Sequence, residues 1–454
     1  MRRRRIVVVL VCLTLGMALE GRAGSEEPSL AEHLLEILRA DGTIGEEKYR
    51  ELRQIAAAER RTPADVAAGS NDDIRVGWKD GFFLENPKEH FKLQLGGRIQ
   101  VDAANFDEDR TVRDALGLMD DIGSGSEFRR ARLFVKGQVS ENVHFKAQYD
   151  FAGGDSDFKD VYLEFRDVPW ANRVKLGHFK EPFSLQELTS SKYLTFMERA
   201  LPNLFAPSRN TGIMFSGDSE KWEMPWSWAV GAFRETDDFG DGFGDSQYNV
   251  TGRLTAAPLY ADAGAKVLHV GMAYSHKFIQ NDPNEVISYV TAPEAHLGPD
   301  YLDTGAINAD GVSLINPELA LVLGPFSFQG EYTRTLLSVN GGPDLDFGGY
   351  YAQASYFLTG EHRSYMPSKG AFARIKPQRN ALRGEGIGAW EIAARYSYLD
   401  LDDDGVSGGE LADWTLALNW YLNPYTRIML NYTRADLDNA GDTNILQTRF
   451  QLEF

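Results

Sequence analysis

The chain of 454 residues has a single cysteine, Cys12, which lies close to the N-terminus. The first residues have the features of a secretion signal: arginines at positions 2–5, an apolar stretch at 6–19, and the small residues Gly21 and Ala23. We expect residues 1–23 to be cleaved as a signal peptide, so the mature protein would lack cysteine. A chain without cysteine has no disulfide, no thiol nucleophile and no cysteine-ligated metal, and it suits an oxidising compartment.

Long hydrophobic runs and an excess of positive charge are also missing. Beyond the signal, no apolar stretch reaches the roughly 18 residues that a membrane-spanning helix needs. Acidic residues outnumber basic residues by 66 to 47, which gives a net charge of −19. The mature chain would carry about −23 by the same formal count. Nucleic-acid binding requires a basic face, so we expect no nucleic-acid partner.

Sequence motifs of enzymes and of metal sites are scarce as well. The eight histidines show no metal-ligand spacing, and neither a phosphate-binding glycine loop nor a nucleophile elbow occurs. Residues 400–405 resemble the start of an EF-hand loop, but Leu411 occupies the position of its last ligand. A solvated hairpin loop is the simpler interpretation, and occasional Ca²⁺ binding is the alternative. We expect no catalytic residues, no metal and no cofactor; a barrel enzyme with Ser, His and acidic rim residues is the alternative class.

Apolar residues at every second position are the main pattern that the sequence does contain, from about residue 90 onward. In one segment the apolar face is formed by Ala412, Trp414, Leu416, Leu418, Trp420 and Leu422. A soluble sandwich would alternate too, but segments of about nine to thirteen residues match the tilted span of a strand across a bilayer. Trp and Tyr recur near the segment ends, as in interfacial girdles. The pattern predicts an all-β fold, a transmembrane antiparallel β-barrel of about sixteen strands.

The last residues of the chain form one further alternating strand. Its apolar face includes Phe450, Leu452 and Phe454, and its polar face includes Arg449 and Glu453. Unpaired backbone groups cost several kcal/mol each in lipid, so the last strand of a membrane barrel must pair with the first. We therefore expect this strand to close the barrel, with the terminal aromatic ring facing outward.

The predicted domain organisation has three parts: the signal peptide 1–23, a periplasmic helical segment with its linker at 24–73, and the barrel at 74–454. Leu34, Leu35, Ile37 and Leu38 have helical spacing, which is interrupted at Asp41 before the pattern resumes. This predicts a short helical pair. The alternative is a coiled coil that trimerises the barrel, although the run is short for sustained heptads.

Several groups of residues, spread from position 90 to the C-terminus, resemble one known family. They are residues 93–102 (LQLGGRIQVD), 128–132 (FRRAR), 177–185 (GHFKEPFSL), 189–191 (TSS), 196–199 (FMER), 267–271 (VLHVG), 418–423 (LNWYLN) and 431–432 (NY). Together they resemble the phosphate-selective porin O and P family. The resemblance implies trimeric sixteen-stranded barrels in the outer membrane of a Gram-negative-type bacterium, surrounded by outer-membrane lipid, with one loop folded inward as a constriction.

The resemblance also implies a function and an assembly route. We expect passive diffusion of small hydrophilic solutes with a preference for anions, and recognition of Phe454 by the barrel-assembly machinery. The alternatives are a phosphate- or polyphosphate-selective channel and a barrel that tethers other envelope components without conducting.

Phosphate-selective members of the family line the constriction with basic residues, and the matching motifs place Arg98, Arg129, Arg130 and Arg199 at such positions. The alternation directs Arg98 and Arg130 into the lumen, and Arg132 shares that face. Arg129 falls on the lipid-facing side of the alternation, so we expect it at a strand end or a bulge. These arginines either contact permeating anions, for which a guanidinium group is suited, or act as counter-charges for lumen carboxylates.

The predicted constriction loop includes Lys180, Pro182, Phe183 and Glu187. Glu187 stands where phosphate-selective members carry a central lysine. A carboxylate in a narrow pore repels phosphate, because the low dielectric strengthens the interaction. The sequence therefore favours a general or weakly anion-preferring pore over a phosphate-selective one.

Overall fold

The computed structural model describes residues 39, 45–46, 48–50, 74–154, 156–219, 224–237, 239–242, 247–279, 286–382 and 386–454. The predicted signal peptide and most of the predicted segment 24–73 lie outside these residues, although Glu46 and residues 48–50 are helical. A compact unit spans Asp73–Phe454. No helix in the described part of the chain is long and apolar enough to cross a membrane.

The compact unit consists mostly of antiparallel strands. The strands are, in chain order, β1 (Arg75–Trp78), β2 (Phe82–Asn86), β3 (Phe91–Glu108), β4 (Ser124–Ser140), β5 (Val143–Asp150), β6 (Asp157–Val168), β7 (Ala171–Lys180), β8 (Arg209–Asp218), β9 (Trp226–Arg234), β10 (Tyr248–Ala261), β11 (Lys266–Phe278), β12 (Val290–Thr291), β13 (Leu302–Asp303), β14 (Ala309–Leu323), β15 (Phe326–Val339), β16 (Leu345–Phe357), β17 (Tyr365–Met366), β18 (Ala371–Phe372), β19 (Ala389–Asp403), β20 (Val406–Asn423), β21 (Thr426–Leu437) and β22 (Gly441–Glu453). The short helices are α1 (Arg110–Ala115), α2 (Leu185–Leu188) and the 3-10 helices Leu201–Phe205, Asp262–Gly264 and Pro367–Lys369.

Sixteen of these strands close into a barrel, which confirms the predicted number. They are β3–β11, β14–β16 and β19–β22. Each pairs with the next in the chain, and β22 pairs with β3 to close the sheet. The strands β12–β13 and β17–β18 are two-residue pairs inside loops.

The closure of the barrel lies beside the C-terminal residue. Phe454 donates its amide proton to the Gly97 carbonyl at 3.1 Å, and the Gly97 amide donates to the Phe454 carbonyl at 2.7 Å. A Cβ at Gly97 would lie 2.7 Å from the Phe454 ring and 2.5 Å from the Arg132 carbonyl oxygen, so only glycine fits. The terminal strand closes the barrel, as its alternation predicts.

The hairpin of β1 and β2 precedes the closed barrel and extends the same sheet. Residues Phe82–Asn86 pair with Phe91–Leu95 of β3, whereas β22 pairs with β3 from Arg98 onward. The second hairpin strand and the closing strand therefore follow one another along a single edge of β3.

The two faces of the barrel differ in polarity, as the alternation predicts. On β20, Trp414 and Leu416 are 58% and 57% exposed on the outer face, whereas Asp413 and Thr415 point inward and are buried. The rings of Trp390 and Trp420 stack at 5.1 Å on neighbouring strands. Apolar side chains facing outward and polar ones facing inward are the arrangement of a barrel embedded in lipid.

The two ends of the barrel differ in their connections. Short turns join most strands at the end that carries Phe454, which is the periplasmic end by the usual arrangement of bacterial barrels. Among the described residues, three long connections enter the lumen: residues 181–208 and 286–308 from the opposite end, and residues 358–382 from the periplasmic end. The lumen is therefore lined by loops as well as by strands.

Candidate functional site

The inward loop, residues 181–208, connects β7 to β8 and crosses the lumen. The Ser184 hydroxyl accepts a hydrogen bond from the Glu187 amide at 3.1 Å and thereby caps α2. The amides of Leu185 and Gln186 donate to the Glu331 carboxylate of β15 at 3.0 and 2.8 Å. One end of the loop is therefore fixed to a strand on the far side of the barrel.

The other end of the inward loop is held by the carboxylate of Glu198. Arg129 donates to it through two nitrogen atoms, both at 3.0 Å, and Arg449 of β22 donates at 2.6 Å. Arg130 lies 3.8 Å away. Arg449 also binds Asp102 of β3, with a distance of 2.7 Å from Nε to Oδ1. One buried carboxylate thus collects three arginines, and a buried charge is tolerated only with such partners.

A β-bulge explains why Arg129 points inward. The pairing of β3 with β4 shifts between Gln100 and Val101, because Gln100 faces Arg130 whereas Val101 faces Phe128. Arg129 is the extra residue, and a bulge redirects a side chain that strict alternation would place outside. The structure places Arg129 at the kind of position that the sequence predicts.

Backbone carbonyls of the inward loop accept hydrogen bonds from several strands on the same side of the barrel. The pairs are Gln451–Lys192 at 3.1 Å, Arg427–Leu194 at 2.7 Å, Asn419–Thr195 at 2.8 Å and Arg395–Glu198 at 3.1 Å. We call strands β3, β4 and β19–β22 the sealed wall, because the loop covers their inward face.

The second loop, residues 286–308, lies on the same wall. Its Glu294 carboxylate accepts hydrogen bonds from Arg395 Nε at 2.9 Å and from the Thr415 hydroxyl at 2.8 Å. The Glu294 amide donates to Asp413 at 2.8 Å, and Gln447 donates to the Glu294 carbonyl at 3.0 Å. These contacts complete the cover of the sealed wall.

The third loop, residues 358–382, enters from the periplasmic end. Arg253 of β10 binds the Glu318 carboxylate at 2.8 and 2.7 Å and donates to the carbonyls of Lys369 and Gly370 at 3.1 and 2.8 Å. The Tyr365 hydroxyl lies 2.7 Å from Nδ1 of His269 on β11. This loop therefore carries Lys369 into the barrel.

Two cavities inside the described part of the barrel lie on the side opposite the sealed wall. The first, which we call the outer chamber, has a volume of about 520 Å³ and lies near the end opposite Phe454. Its charged lining comprises three bases, Lys159, Arg209 and Lys277, and two acids, Glu235 and Asp237. Its charges nearly balance.

The second cavity, which we call the inner chamber, has a volume of about 350 Å³ and lies nearer the periplasmic end. Its lining includes two acids, Asp160 and Glu164, and seven bases: Lys146, Arg166, Arg173, Lys175, Lys180, Arg253 and Lys369. In a chain with a net charge of −19, this concentration of positive charge inside the barrel is the main electrostatic feature of the site.

Three residues that we call the junction, Lys146, Asp160 and Arg209, lie between the two chambers. Asp160 accepts a hydrogen bond from Arg209 Nε at 2.7 Å and forms an ion pair with Lys146. Arg209 lines the outer chamber, whereas Asp160 and Lys146 line the inner one. These three side chains therefore form the boundary between the two chambers.

The arginines predicted from sequence lie inside the barrel, and most have carboxylate partners. Arg132 pairs with Asp150, and Arg199 lies 3.0 Å from Glu187. Arg98 donates to the Ser191 hydroxyl at 2.8 Å and has no carboxylate within 4 Å among the described residues. Their contact with permeating anions stays a prediction, and the carboxylate partners favour the alternative of counter-charges for all of them except Arg98.

The predicted constriction residues surround Glu187. Pro182 and Phe183 are buried at the start of the inward loop. The Glu187 carboxylate lies 2.7 Å from Lys180 Nζ and accepts a hydrogen bond from Asn203 at 3.2 Å. Burial opposes its ionisation, but Arg199 and Lys180 outweigh burial and lower the pKa of Glu187 to about 2. Glu187 is therefore ionised at physiological pH and offsets one of the two positive charges beside it.

Sequence reasoning missed the junction and most of the inner chamber. Lys146 and Lys175 carried no motif, and Asp160 lies in a bulge of β6 that has no sequence signal. Lys369 lies in a connection at the periplasmic end, where turns are usually short. The length of that connection, 358–388, was the one available signal of an inserted loop.

The sequence profile described as "Phosphate-selective porin O and P" matches residues 93–454. The chain belongs to this family. It is 28% identical to Porin O of Pseudomonas aeruginosa over 411 residues, which cover 82% of this chain and 89% of that protein. It is 30% identical to an uncharacterized protein of Caulobacter vibrioides over 409 residues, which cover 86% and 79%. These matches confirm the predicted family.

A solved structure shares the fold. OmpT, an outer membrane protein of Vibrio cholerae, superposes with a TM-score of 0.51 at 11% identity and covers 80% of this chain and 98% of its own. The family and the fold together make this protein an outer-membrane porin, which confirms the predicted location.

Proposed function

We propose that this porin passes small anions through the outer and inner chambers, along the wall opposite the sealed wall. The observation that carries the proposal is the lining of the inner chamber by seven bases and two acids. Fixed charges in a narrow, partly desolvated passage act on ions more strongly than charges on the outer surface. Three of the seven bases also pair with carboxylates behind the lining, Arg173 with Asp218, Lys180 with Glu187 and Arg253 with Glu318. Seven bases therefore face five acids, and a local excess of positive charge remains.

The bases along this path differ in whether a carboxylate already binds them. Glu164 lies 2.8 Å from Arg166 and 3.4 Å from Lys175, so these two bases share one carboxylate. Lys369 has no ion-pair partner among the described residues. Its ammonium group is the best placed to attract a solute anion into the inner chamber.

Reversal potentials of the purified porin in planar bilayers, under a KCl gradient, test this proposal. We expect chloride to be more permeant than potassium. The double change Lys175→Glu and Lys369→Glu should invert the preference, because it shifts the chamber charge by about four units.

A matched control is Lys266→Glu, since Lys266 pairs with Asp262 at an exposed periplasmic turn. It should leave the reversal potential unchanged. Cation preference in the unaltered porin, or an unchanged reversal potential in the double variant, would contradict the proposal.

Phosphate selectivity is the second candidate for the transported solute. The arginines Arg98, Arg129, Arg130, Arg132 and Arg199 favour it, because guanidinium groups suit oxyanions. The carboxylates Glu187 and Glu198 oppose it, since they already bind most of these arginines. We therefore place a general anion preference first, and block of the chloride current by phosphate separates the two candidates.

We also propose that the porin assembles as a homotrimer and that the barrel-assembly machinery recognises the terminal strand. The family resemblance supports the trimer, and the position of Phe454 at the barrel closure supports the second proposal. The mass of the porin in mild detergent tests the first. The yield of folded barrel after Phe454→Ala, compared with Phe450→Ala on the same face of β22, tests the second.

A further inference from the structure

The second loop, residues 286–308, meets the sealed wall at a pair of buried carboxylates. Glu294 of the loop and Asp413 of β20 are 3% and 0% exposed. The Glu294 amide donates to Oδ2 of Asp413 at 2.8 Å. Docking of the loop on the wall therefore places one acidic residue directly beside the other.

One cation serves both acids. Arg395 of β19 donates to Oε2 of Glu294 from Nε at 2.9 Å, and Thr415 donates to the same oxygen at 2.8 Å. Oε1 of Glu294 and Oδ1 of Asp413 have no hydrogen-bond partner among the described residues, and no cation among them lies within 4 Å of Asp413. If both acids were ionised, one buried negative charge would lack a partner, which is costly. Burial accordingly raises the pKa of Glu294, although Arg395 opposes the shift.

The neighbouring elements do not supply the missing positive charge. The inward loop and β22 contribute Glu198 and Arg449, which already bind each other at 2.6 Å. On the other side of the loop, the Tyr301 hydroxyl experiences a further negative group, Glu108 of β3. When two carboxyl groups share a site, a proton retained by one of them relieves the repulsion. A proton between the two acids is therefore the simplest neutralising charge.

A second proton-dependent contact lies two residues further along the loop. Nδ1 of His296 lies 2.8 Å from Oε1 and 2.9 Å from Oε2 of Glu127 on β4. The His296 side chain is 48% exposed, so it exchanges protons with the medium. Histidine gains a positive charge in mildly acidic solution, which strengthens its attraction to a carboxylate. Both contacts therefore hold the loop more tightly when a proton is bound.

We propose that the second loop is a proton-operated gate of the outer chamber, docked on the sealed wall in acidic solution and released as the pH rises. Residues 287–290 of this loop line the outer chamber, so release of the loop widens that chamber. The docked state binds more protons than the released state, so the docked-to-released ratio falls by up to about tenfold per pH unit for each proton lost. The gate concerns the position of the loop and does not depend on which ions pass.

The experiment measures the mobility of a nitroxide spin label on the purified porin in detergent micelles, between about pH 5 and about pH 9. The label is attached at Ser288→Cys, because the expected mature chain has no other thiol. The mobile fraction should rise with pH, and single-channel conductance should rise with it. A mobile fraction that stays constant over this range overturns the inference.

Asp413→Asn tests the carboxylate pair. An amide resembles the protonated carboxyl group, because it can accept from the Glu294 amide and donate to the unpartnered Glu294 oxygen, so this variant should fold. Its docked-to-released ratio at about pH 9 should be about tenfold higher than that of the unaltered porin, the effect of one proton over one pH unit.

The matched control is Asp436→Asn, which removes the same charge from an exposed position on the neighbouring strand β21. It should titrate like the unaltered porin. If Asp413→Asn also titrates like the unaltered porin, or if the control matches Asp413→Asn, the carboxylate pair does not operate the gate and the inference is overturned.

Two further measurements separate the proton from other causes. The double variant Asp413→Asn with His296→Gln should show no pH response, and a remaining response would place the titrating group elsewhere and overturn the inference. Replacement of sodium by choline at constant ionic strength should leave the titration of the unaltered porin unchanged. Release of the loop on removal of sodium would identify the neutralising charge as a metal cation and would also overturn the inference.

Discussion

The sealed wall differs from the opposite wall, strands β5–β11 around the two chambers, which we call the chamber wall, in how its basic residues are bound. On the sealed wall, Arg395 and Arg449 lie within hydrogen-bonding distance of carboxylates and of loop carbonyls. Beside the chamber wall, Lys369 of the third loop and part of the Arg209 side chain on β8 face open volume. The difference lies in whether an inward loop brings an acceptor to the strand.

This contrast shows that a count of arginines does not reveal where anions bind. A guanidinium already bound to a carboxylate is part of the scaffold, because removing its partner leaves a buried charge unpaired. A cation with few partners in a hydrated cavity remains available to a solute. The family arginines belong mostly to the first group, whereas Lys369 belongs to the second.

Breaking the sealed wall should have the largest effect. Glu198→Gln removes the carboxylate shared by Arg129, Arg130 and Arg449, so we expect the free energy of unfolding to fall by about 3–5 kcal/mol. The released inward loop should also make single-channel conductance larger and more variable. Urea unfolding in detergent micelles and single-channel recording measure the two effects, and a stable variant with unchanged conductance would show that the loop is held elsewhere.

Releasing the cations around Glu187 should have a smaller effect, confined to selectivity. Glu187→Gln frees Lys180 and Arg199, so the chloride-to-potassium permeability ratio should rise by about twofold. Reversal potentials at pH 7 measure this ratio. An unchanged ratio would place Glu187 away from the ion path.

The pH dependence of ion selectivity in the unaltered porin gives a second test of Glu187. The pKa of Glu187 is lowered from 4.5 to about 2, so its stabilising contribution is present above pH 4.5 and is lost only as the pH falls through about 2. We expect Glu187 to cause no change in selectivity between pH 7 and pH 5. A selectivity difference between the unaltered porin and Glu187→Gln that disappears within this range would contradict the assignment.

The two chambers should respond differently to loss of one charge. Lys369→Met removes a cation without an ion-pair partner among the described residues, whereas Lys159→Met removes one that lies 3.2 Å from Asp157. Lys369→Met should therefore lower the chloride-to-potassium permeability ratio more than Lys159→Met does. Equal effects in reversal-potential measurements would remove the distinction between inner and outer chambers.

The smallest effect is expected on the outside of the barrel. Arg334 and Asp346 form an exposed ion pair, with side chains 47% and 42% accessible. Arg334→Ala should change the free energy of unfolding by less than about 1 kcal/mol and leave selectivity unchanged. A change in selectivity would show that surface charge contributes to the ion path.

Much of the scaffold could be predicted because its signal is local. Trp414 and Leu416 lie two positions apart and face lipid together, and Arg449 and Glu453 share the inward face of the last strand. The lipid-side position of Arg129 in the alternation was enough to predict a strand end or bulge. The family motifs also located the inward loop, since its residues are contiguous in the chain.

The charge pairing inside the lumen could not be predicted in the same way. Arg449 and Asp102 are 347 residues apart, and Asp160 and Arg209 are 49 apart. Nothing in the sequence near Asp160 shows the bulge that brings it to Arg209. Nor does any local pattern show that residues 358–382 enter the lumen and carry Lys369 with them.

The sequence alone therefore determined the barrel, its strand number, its polarity and its closing residue, because a period of two depends only on neighbouring residues and on the solvent at each face. The tertiary structure decided which charges are scaffold and which line the path. Whether a charge belongs to the scaffold or to the path depends on barrel closure, on bulges and on three inserted loops. All of these bring together residues that are far apart in the chain.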